Sequence, residues 1–315
     1  MFDISENRAN EMLAGLKDKA KEPNSVRVLS SWIDRAEQEI GNERTGRIAW
    51  LVASTVTAAK LQQVLDASGK PRFVMKGGTM LQHRLGMEAR ASQDLDGIVT
   101  EDLDSFLSEL DLILGENWGP VSFRRTPAEL IRVPSKAVKP RRFEMVLELR
   151  GKVWRRITVE ISPDEGRTGT SQERFEAPRL AAFGLPAPDT LVGIAMSYQI
   201  AQKIHACTDP HDPPSFVNNR ARDVVDLVLL KNLADEVGAP THGEIMAATE
   251  DIFTVRVAEA QQLGRKTREL PVKVVAYPHW LVDYESAAKS AGLELGLEKA
   301  VAVVNSWLRD TGIGG

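Results

Sequence analysis

A single cysteine, Cys207, in 315 residues leaves no material for an internal disulfide framework or a thiolate zinc site, and it suits a reducing compartment. Histidine is almost as scarce. There are five, and no two stand at metal-ligand spacing on a shared face, so none is assigned to zinc. Aromatic residues make up 6% of the chain; Trp32 and Trp50 read as core or interface residues. No apolar run approaches the roughly 18 residues of a membrane span. The opening Met1-Phe2-Asp3-Ile4-Ser5-Glu6 lacks a basic segment followed by an apolar one, so no signal peptide is expected and a cytoplasmic location is. A large charge of either sign is missing too. The net charge of −4 gives no whole-chain case for a nucleic-acid binder, and any such patch must be local. What remains, 43% hydrophobic and 27% charged residues, describes a globular chain long enough for two lobes.

Against this plain background one stretch stands out. Phe73-Val74-Met75-Lys76-Gly77-Gly78-Thr79-Met80-Leu81 reads as a short apolar strand, a glycine turn and a helix beginning near Thr79. Then comes Arg90-Ala91-Ser92-Gln93-Asp94-Leu95-Asp96, a strand with two carboxylates one residue apart. Strands alternate their faces, so Asp94 and Asp96 point the same way while Leu95 points into the core. Two like charges on one edge call for a cation between them, and hard divalent ions, Mg²⁺ above all, suit such oxygen donors. Gly77 and Gly78 allow close approach to backbone N–H groups at a helix start, which is an anion site. A phosphate cradle beside a metal-holding acid pair is the apparatus of phosphoryl or nucleotidyl transfer.

Around this unit the pattern predicts an α+β chain. Helices are expected from a Ser5 cap to about residue 20, over 26–40 before a Gly41-Asn42 break, and from Glu43 to about residue 67. Residues 92–116 hold eight acidic side chains and no basic one; Glu101, Asp102, Asp104, Glu109 and Asp111 read as decoration of a solvated helix start and face. Residues 121–160 reverse this, with eleven Lys or Arg against four Glu, and strands are expected over 142–150 and 153–162. These cations suit triphosphate, an RNA backbone or simple solvation of a hairpin. Glu160 and Glu148 each sit between apolar residues on a strand, and cross-strand pairing with arginine is the plain reading of both. Residues 163–186 read as a linker or flap, and Asp189 or Thr190 as the cap of a helix reaching about residue 206. Further helices are expected over 219–237, 242–263, 278–291 and 295–309. Lys203 shares a face with Val192, Met196 and Gln199, either snorkelling past them or aimed into a cleft. Asp223 and Asp226, three apart, share a face as well.

Lys76-Gly77-Gly78-Thr79-x-Leu81 followed by Arg90-x-Ser92-x-Asp94-Leu95-Asp96 resembles the AbiEii-type nucleotidyltransferase toxins of the polymerase-beta-like superfamily. The 15 residues between Gly78 and Asp94 exceed that superfamily's general spacing and are normal for the AbiEii branch. Gln202-Lys203-Ile204 and Arg220-Ala221-Arg222-Asp223-Val224-Val225-Asp226-Leu227 are similar to two helical elements of the same family, so the resemblance covers about residues 73–230. It implies a mixed sheet flanked by helices, with N-terminal helices over 1–70, a nucleotidyltransferase core over 71–185 and a helical lobe over 186–315. It also implies a toxin that moves nucleotides from NTP to an acceptor such as the tRNA 3′ end, and a partner antitoxin. By that resemblance Asp94, Asp96 and Glu160 (with Glu148 as rival) would bind Mg²⁺. Gly77, Gly78 and Thr79, with Lys76 of undecided role, would meet the nucleotide. Lys203 would contact phosphate, with Asp223 as its partner or as a site-organising acid.

Overall fold

The computed structural model describes residues 8–40, 46–133, 136–211 and 213–315. The expected Ser5 cap, the Gly41-Asn42 break and the Glu43 helix start lie outside the described residues. Three helices open the fold: α1 (Arg8–Leu13), α2 (Val26–Glu39) and α3 (Arg47–Leu61). Ser25 caps α2 by accepting from the Val28 N–H at 3.3 Å, the arrangement that satisfies an otherwise orphaned amide. In α3 every residue but Ala49 is buried, as expected of a helix that is apolar all round and enclosed by its neighbours.

The sheet that carries the motif has eight strands: β1 (Phe73–Lys76), β2 (Asp94–Val99), β3 (Val121–Arg125), β4 (Glu129–Leu130), β5 (Arg141–Leu149), β6 (Lys152–Pro163), β7 (Gln172–Glu176) and β8 (Thr190–Ile194). Their order is β3-β5-β6-β2-β1-β8-β7, with β4 beside β5. Central β2 runs antiparallel to β1 and parallel to β6. Helix α4 (Gly77–Leu85) leaves β1 directly, and α5 (Leu103–Ile113) follows β2. The first core lies between the sheet and α2, α3 and α5, with Ile157, Val159 and Ile161 of β6 fully buried in it.

Two expectations are corrected here. Thr190–Ile194 is not the start of a helix but strand β8, parallel to β1, and α6 (Met196–Cys207) begins only after it. Its backbone is also held by the Gln62 amide, which donates to the Val192 carbonyl at 2.6 Å and accepts from the Val192 N–H at 3.0 Å. The stretch expected to be a linker or flap contains β7, an edge strand paired with β8.

The acidic and basic blocks of the sequence cancel one another. Asp111 takes Arg125, Asp104 takes Arg141, and Glu101 and Glu109 take Arg72, whose side chain is 1% exposed. Asp102 caps α5 through the Ser105 N–H. Arg124 of β3 pairs with Glu148 of β5, and Arg156 of β6 with Glu144 of β5. Helices α7 (Ala221–Val237), α8 (His242–Gln262), α9 (Leu281–Ala291) and α10 (Leu297–Asp310) complete the chain. With α6 they form a second core that takes in Leu81, Leu85 and Ala89 from the α4 region. Among the described residues no helix is long and apolar enough to cross a membrane.

Candidate active site

Asp94 and Asp96 project from the same face of β2, and strand register sets their neighbours. Asp96 lies opposite Lys76 of β1 and beside Glu160 of β6, while Asp94 lies beside Thr158. The three acids feel one another. Burial, and next the Glu160 carboxylate, raise the Asp94 pKa; burial raises Asp96 to about 6, with Glu160 and Asp94 adding to the rise against Lys76. Glu160 accepts from Arg142 Nε at 2.8 Å. Glu148 is tied to Arg124 at the opposite end of β5 from Arg142, so Glu160 is the strand glutamate beside the pair.

The glycine turn is pressed against these acids. Gly77 has φ of +71°, in the left-handed region where a side chain is strained, and a Cβ there would run into the Asp96 carboxylate. At Gly78 a Cβ would stand 3.0 Å from Arg90 Nη2 and 3.2 Å from Ser92 Oγ. Helix α4 starts at Gly77 itself, two residues before the expected start. Its first amides, at the positions a helix cannot satisfy internally, therefore belong to the two glycines and Thr79. The Thr79 hydroxyl is not free: it donates to the Asp94 carbonyl at 2.6 Å and ties α4 to β2. Lys76 Nζ donates to Ser162 Oγ at 2.7 Å, which gives the lysine of undecided role a place on the acid face.

On the far side of the turn stands a quartet of charges. Lys203 Nζ donates to Asp223 at 2.8 Å and to Asp226 at 2.6 Å, and Arg90 grips both oxygens of Asp226, each at 2.9 Å. The Asp226 side chain is 0% exposed and that of Asp223 13%, so neither is a helix-surface acid. Burial works against the charged Lys203, but Asp223 and Asp226 outweigh it and the ammonium is held more firmly than usual. Burial likewise opposes the Asp223 carboxylate, and Lys203 and Arg220 overcome it. One N–H of Lys203 has no partner among the described residues. Its charge acts on Asp96, as does that of Arg90. The Gln199 amide, one helical turn before Lys203, donates to the Gly77 carbonyl at 3.1 Å.

The structure thus brings Lys76, Gly77, Gly78, Thr79, Asp94, Asp96, Glu160, Lys203 and Asp223 to one locality. Sequence reasoning assigned no role to Arg90, Arg142, Gln199 or Asp226. Arg90 and Asp226 stood inside quoted motifs, yet spacing along the chain gives no sign that a loop arginine and a helix aspartate 136 residues apart would pair.

Three carboxylates of this kind are the oxygen donors that Mg²⁺ takes, and Mg²⁺ is commonly held by one or two carboxylates with substrate phosphate completing its shell. Asp94 and Asp96 fit that demand. Burial and then the Glu160 carboxylate raise both their pKa values, a cost that a divalent cation would relieve. Among the described residues no group of three acids, histidines or cysteines forms a ready cage for an ion. Glu160, engaged by Arg142, would have to turn to join one.

Comparison with known proteins gives the family and the fold. The model of the family described as nucleotidyl transferase AbiEii toxin, type IV TA system, matches residues 60–303. That span runs past the motif-bearing residues to include α8, α9 and half of α10. No curated protein matches the chain. Among solved structures the fold is similar to MenT4, the nucleotidyltransferase toxin Rv2826c from Mycobacterium tuberculosis H37Rv, with a TM-score of 0.50 and 18% sequence identity, covering 92% of this chain and 99% of that one.

Proposed function

The chain belongs to the AbiEii family of nucleotidyltransferase toxins of type IV toxin–antitoxin systems, and on that footing we propose that it transfers a nucleotide from NTP to a hydroxyl of an RNA acceptor, with the tRNA 3′ end as first choice, in the presence of Mg²⁺. Family membership carries with it an NTP substrate and an antitoxin partner. The observation that carries the site is the seating of Asp96 against Gly77, with Asp94 beside it and Lys203 across the turn.

Asp94 and Asp96 would hold Mg²⁺, with Glu160 joining them when it leaves Arg142. The metal supplies neutralisation of the triphosphate charge and Lewis-acid polarisation of the α-phosphoryl group. The amides of Gly77, Gly78 and Thr79 point at a bound phosphate from the start of α4. Lys203 meets the charge that builds on the leaving group with its unpartnered N–H, where fixed donors stabilise a transition state most. Asp223, Asp226 and Arg90 hold that ammonium in position. The acceptor oxygen bonds to the α-phosphorus as the bond to the bridging oxygen breaks, and pyrophosphate departs. Glu160 receives the hydroxyl proton.

Incubation with α-labelled NTP, Mg²⁺ and total tRNA is expected to place label in RNA. Label in protein alone would give the acceptor role to protein. No transfer to RNA, protein or a small molecule would leave a silent binding module.

A further inference from the structure

The residues between 121 and 160 that made the sequence look locally basic are mostly neutralised by carboxylates. A second group of cations gathers beside the ends of α6 and α8, from residues scattered in the chain that include Lys136 of that stretch. The ends of α6 and α8, with the segment after α8, enclose two adjoining clefts of about 170 and 550 Å³ that share Asp209, Arg265, Lys266 and Arg268. The smaller is lined by six cations, Lys136, Arg220, Arg256, Arg265, Lys266 and Arg268, against only Asp209 and Glu259. Lys136 and Arg256 share Glu165 and Glu259, and Arg268 takes Asp209 at 2.8 Å. Arg265 and Lys266 are exposed and have no side-chain partner among the described residues. His205 stands in the cleft wall, and burial first, then Arg268, Arg256, Lys136 and Arg220, lower its pKa to about 2.

The larger cleft differs in character. Phe216, Pro210, Ser215 and Thr208 line it beside the two unpaired cations, so an apolar ring and a proline stand next to positive charge. An aromatic platform next to cations that follow a backbone is how single-stranded nucleic acid is held without reading its sequence. The smaller cleft adjoins the charge quartet beside the glycine turn. Gln202 and Arg220 line it; Gln202 precedes Lys203 in α6, and Arg220 lies 3.8 Å from Asp223, the partner of Lys203.

We propose that this double cleft binds the phosphodiester backbone of a single-stranded RNA end, with Arg265 and Lys266 on its phosphates and Phe216 under a base, and delivers the terminal hydroxyl toward Asp94 and Asp96. The inference rests on the RNA-acceptor reading above. It places the acceptor on the helical lobe rather than on the basic hairpin of the sheet.

The test uses the full chain and the double variant Arg265→Glu/Lys266→Glu, which breaks no ion pair among the described residues. Binding of a short fluorescein-labelled single-stranded oligoribonucleotide is followed by anisotropy over a range of salt, and NTP binding is measured in parallel. The variant is expected to lose at least about tenfold in RNA affinity and to flatten the salt dependence by about one to two in slope, since each lost phosphate contact removes roughly 0.7–1. NTP affinity stays at the wild-type value. Phe216→Ala should weaken RNA binding with the salt slope intact, the mark of lost stacking. If wild type and double variant bind RNA equally, the cleft assignment is overturned while the acceptor reading stands. If the wild type binds no RNA, the acceptor reading itself falls. Loss of NTP binding, or loss of antitoxin capture with RNA binding retained, would give the cleft to those ligands and overturn the proposal as well.

Discussion

The acids of β2 and β6 and the quartet made by Arg90, Lys203, Asp223 and Asp226 flank the same glycine turn but treat charge in opposite ways. In the quartet two cations face two anions at 2.6 to 2.9 Å, and burial is offset by pairing. Among the acids, carboxylates crowd one another, Lys76 and Arg142 stand near, and the pKa values of Asp94 and Asp96 rise. A buried group that is already paired holds geometry, whereas a buried group left partly unpaired waits for a ligand. The comparison predicts that substitutions among the acids damage chemistry and that substitutions of Arg90, Asp223 or Asp226 damage structure, while Lys203, which keeps one N–H for substrate, serves both.

The largest effect is expected from Asp94→Ala or Asp96→Ala, which should lower nucleotide transfer on the order of 10³-fold or more while the fold persists; steady-state transfer together with circular dichroism checks this. Asp226→Ala should do the reverse first. It strands Arg90 and part of Lys203 inside the protein and should cost about 3–5 kcal/mol of stability, read from the shift in urea midpoint. Lys203→Met should reduce kcat by about 10²-fold, with a smaller change in KM for NTP. If all four variants lost stability and activity in proportion, the division of labour would be wrong.

A smaller effect sharpens the same division. Folded Asp96 keeps its proton up to about pH 6, whereas the unfolded chain releases it near pH 4. Between those values the folded state binds more protons, so stability falls as pH rises through that window and levels off above it. Asp96→Asn removes the charge, and should therefore be more stable than wild type above pH 6 by up to about 3 kcal/mol. Thermal melts between pH 4 and 7.5 would show the two curves diverging. The smallest effect belongs to Arg142→Ala, which frees Glu160 and should alter transfer only a few-fold.

The strand–turn–helix motif and the acid strand were legible because period-two alternation and glycine chemistry are local. The bounds of α8, α9 and α10 were legible for the same reason, through helical periodicity and breakers. What escaped was non-local. Leu191, Val192 and Ile194 form an apolar run too short to separate a buried strand from a helix start, and only pairing with β1 and the Gln62 amide shows which it is. Gln172–Glu176 is polar and sits at the sheet edge, so it carries little strand signal. The acids of 101–111 decorate the exposed start and face of α5 as expected, but their pairing with cations of β3 and β5 was not legible, nor was the positive cleft assembled from residues 136 to 268. In the same way Asp226 looked like a surface acid until Arg90 met it.

The central claim, that Asp94 and Asp96 are poised for a divalent cation beside the Gly77-Gly78 turn, is tested most directly by titrating Mg²⁺ with NTP present and following thermal stability at pH 7.5. Wild type is predicted to rise in melting temperature with Mg²⁺, as any ligand of the folded state requires. Asp96→Asn should start higher, show no rise and transfer no nucleotide. An equal Mg²⁺ response in the Asn variant, or transfer that survives the substitution, would contradict the account.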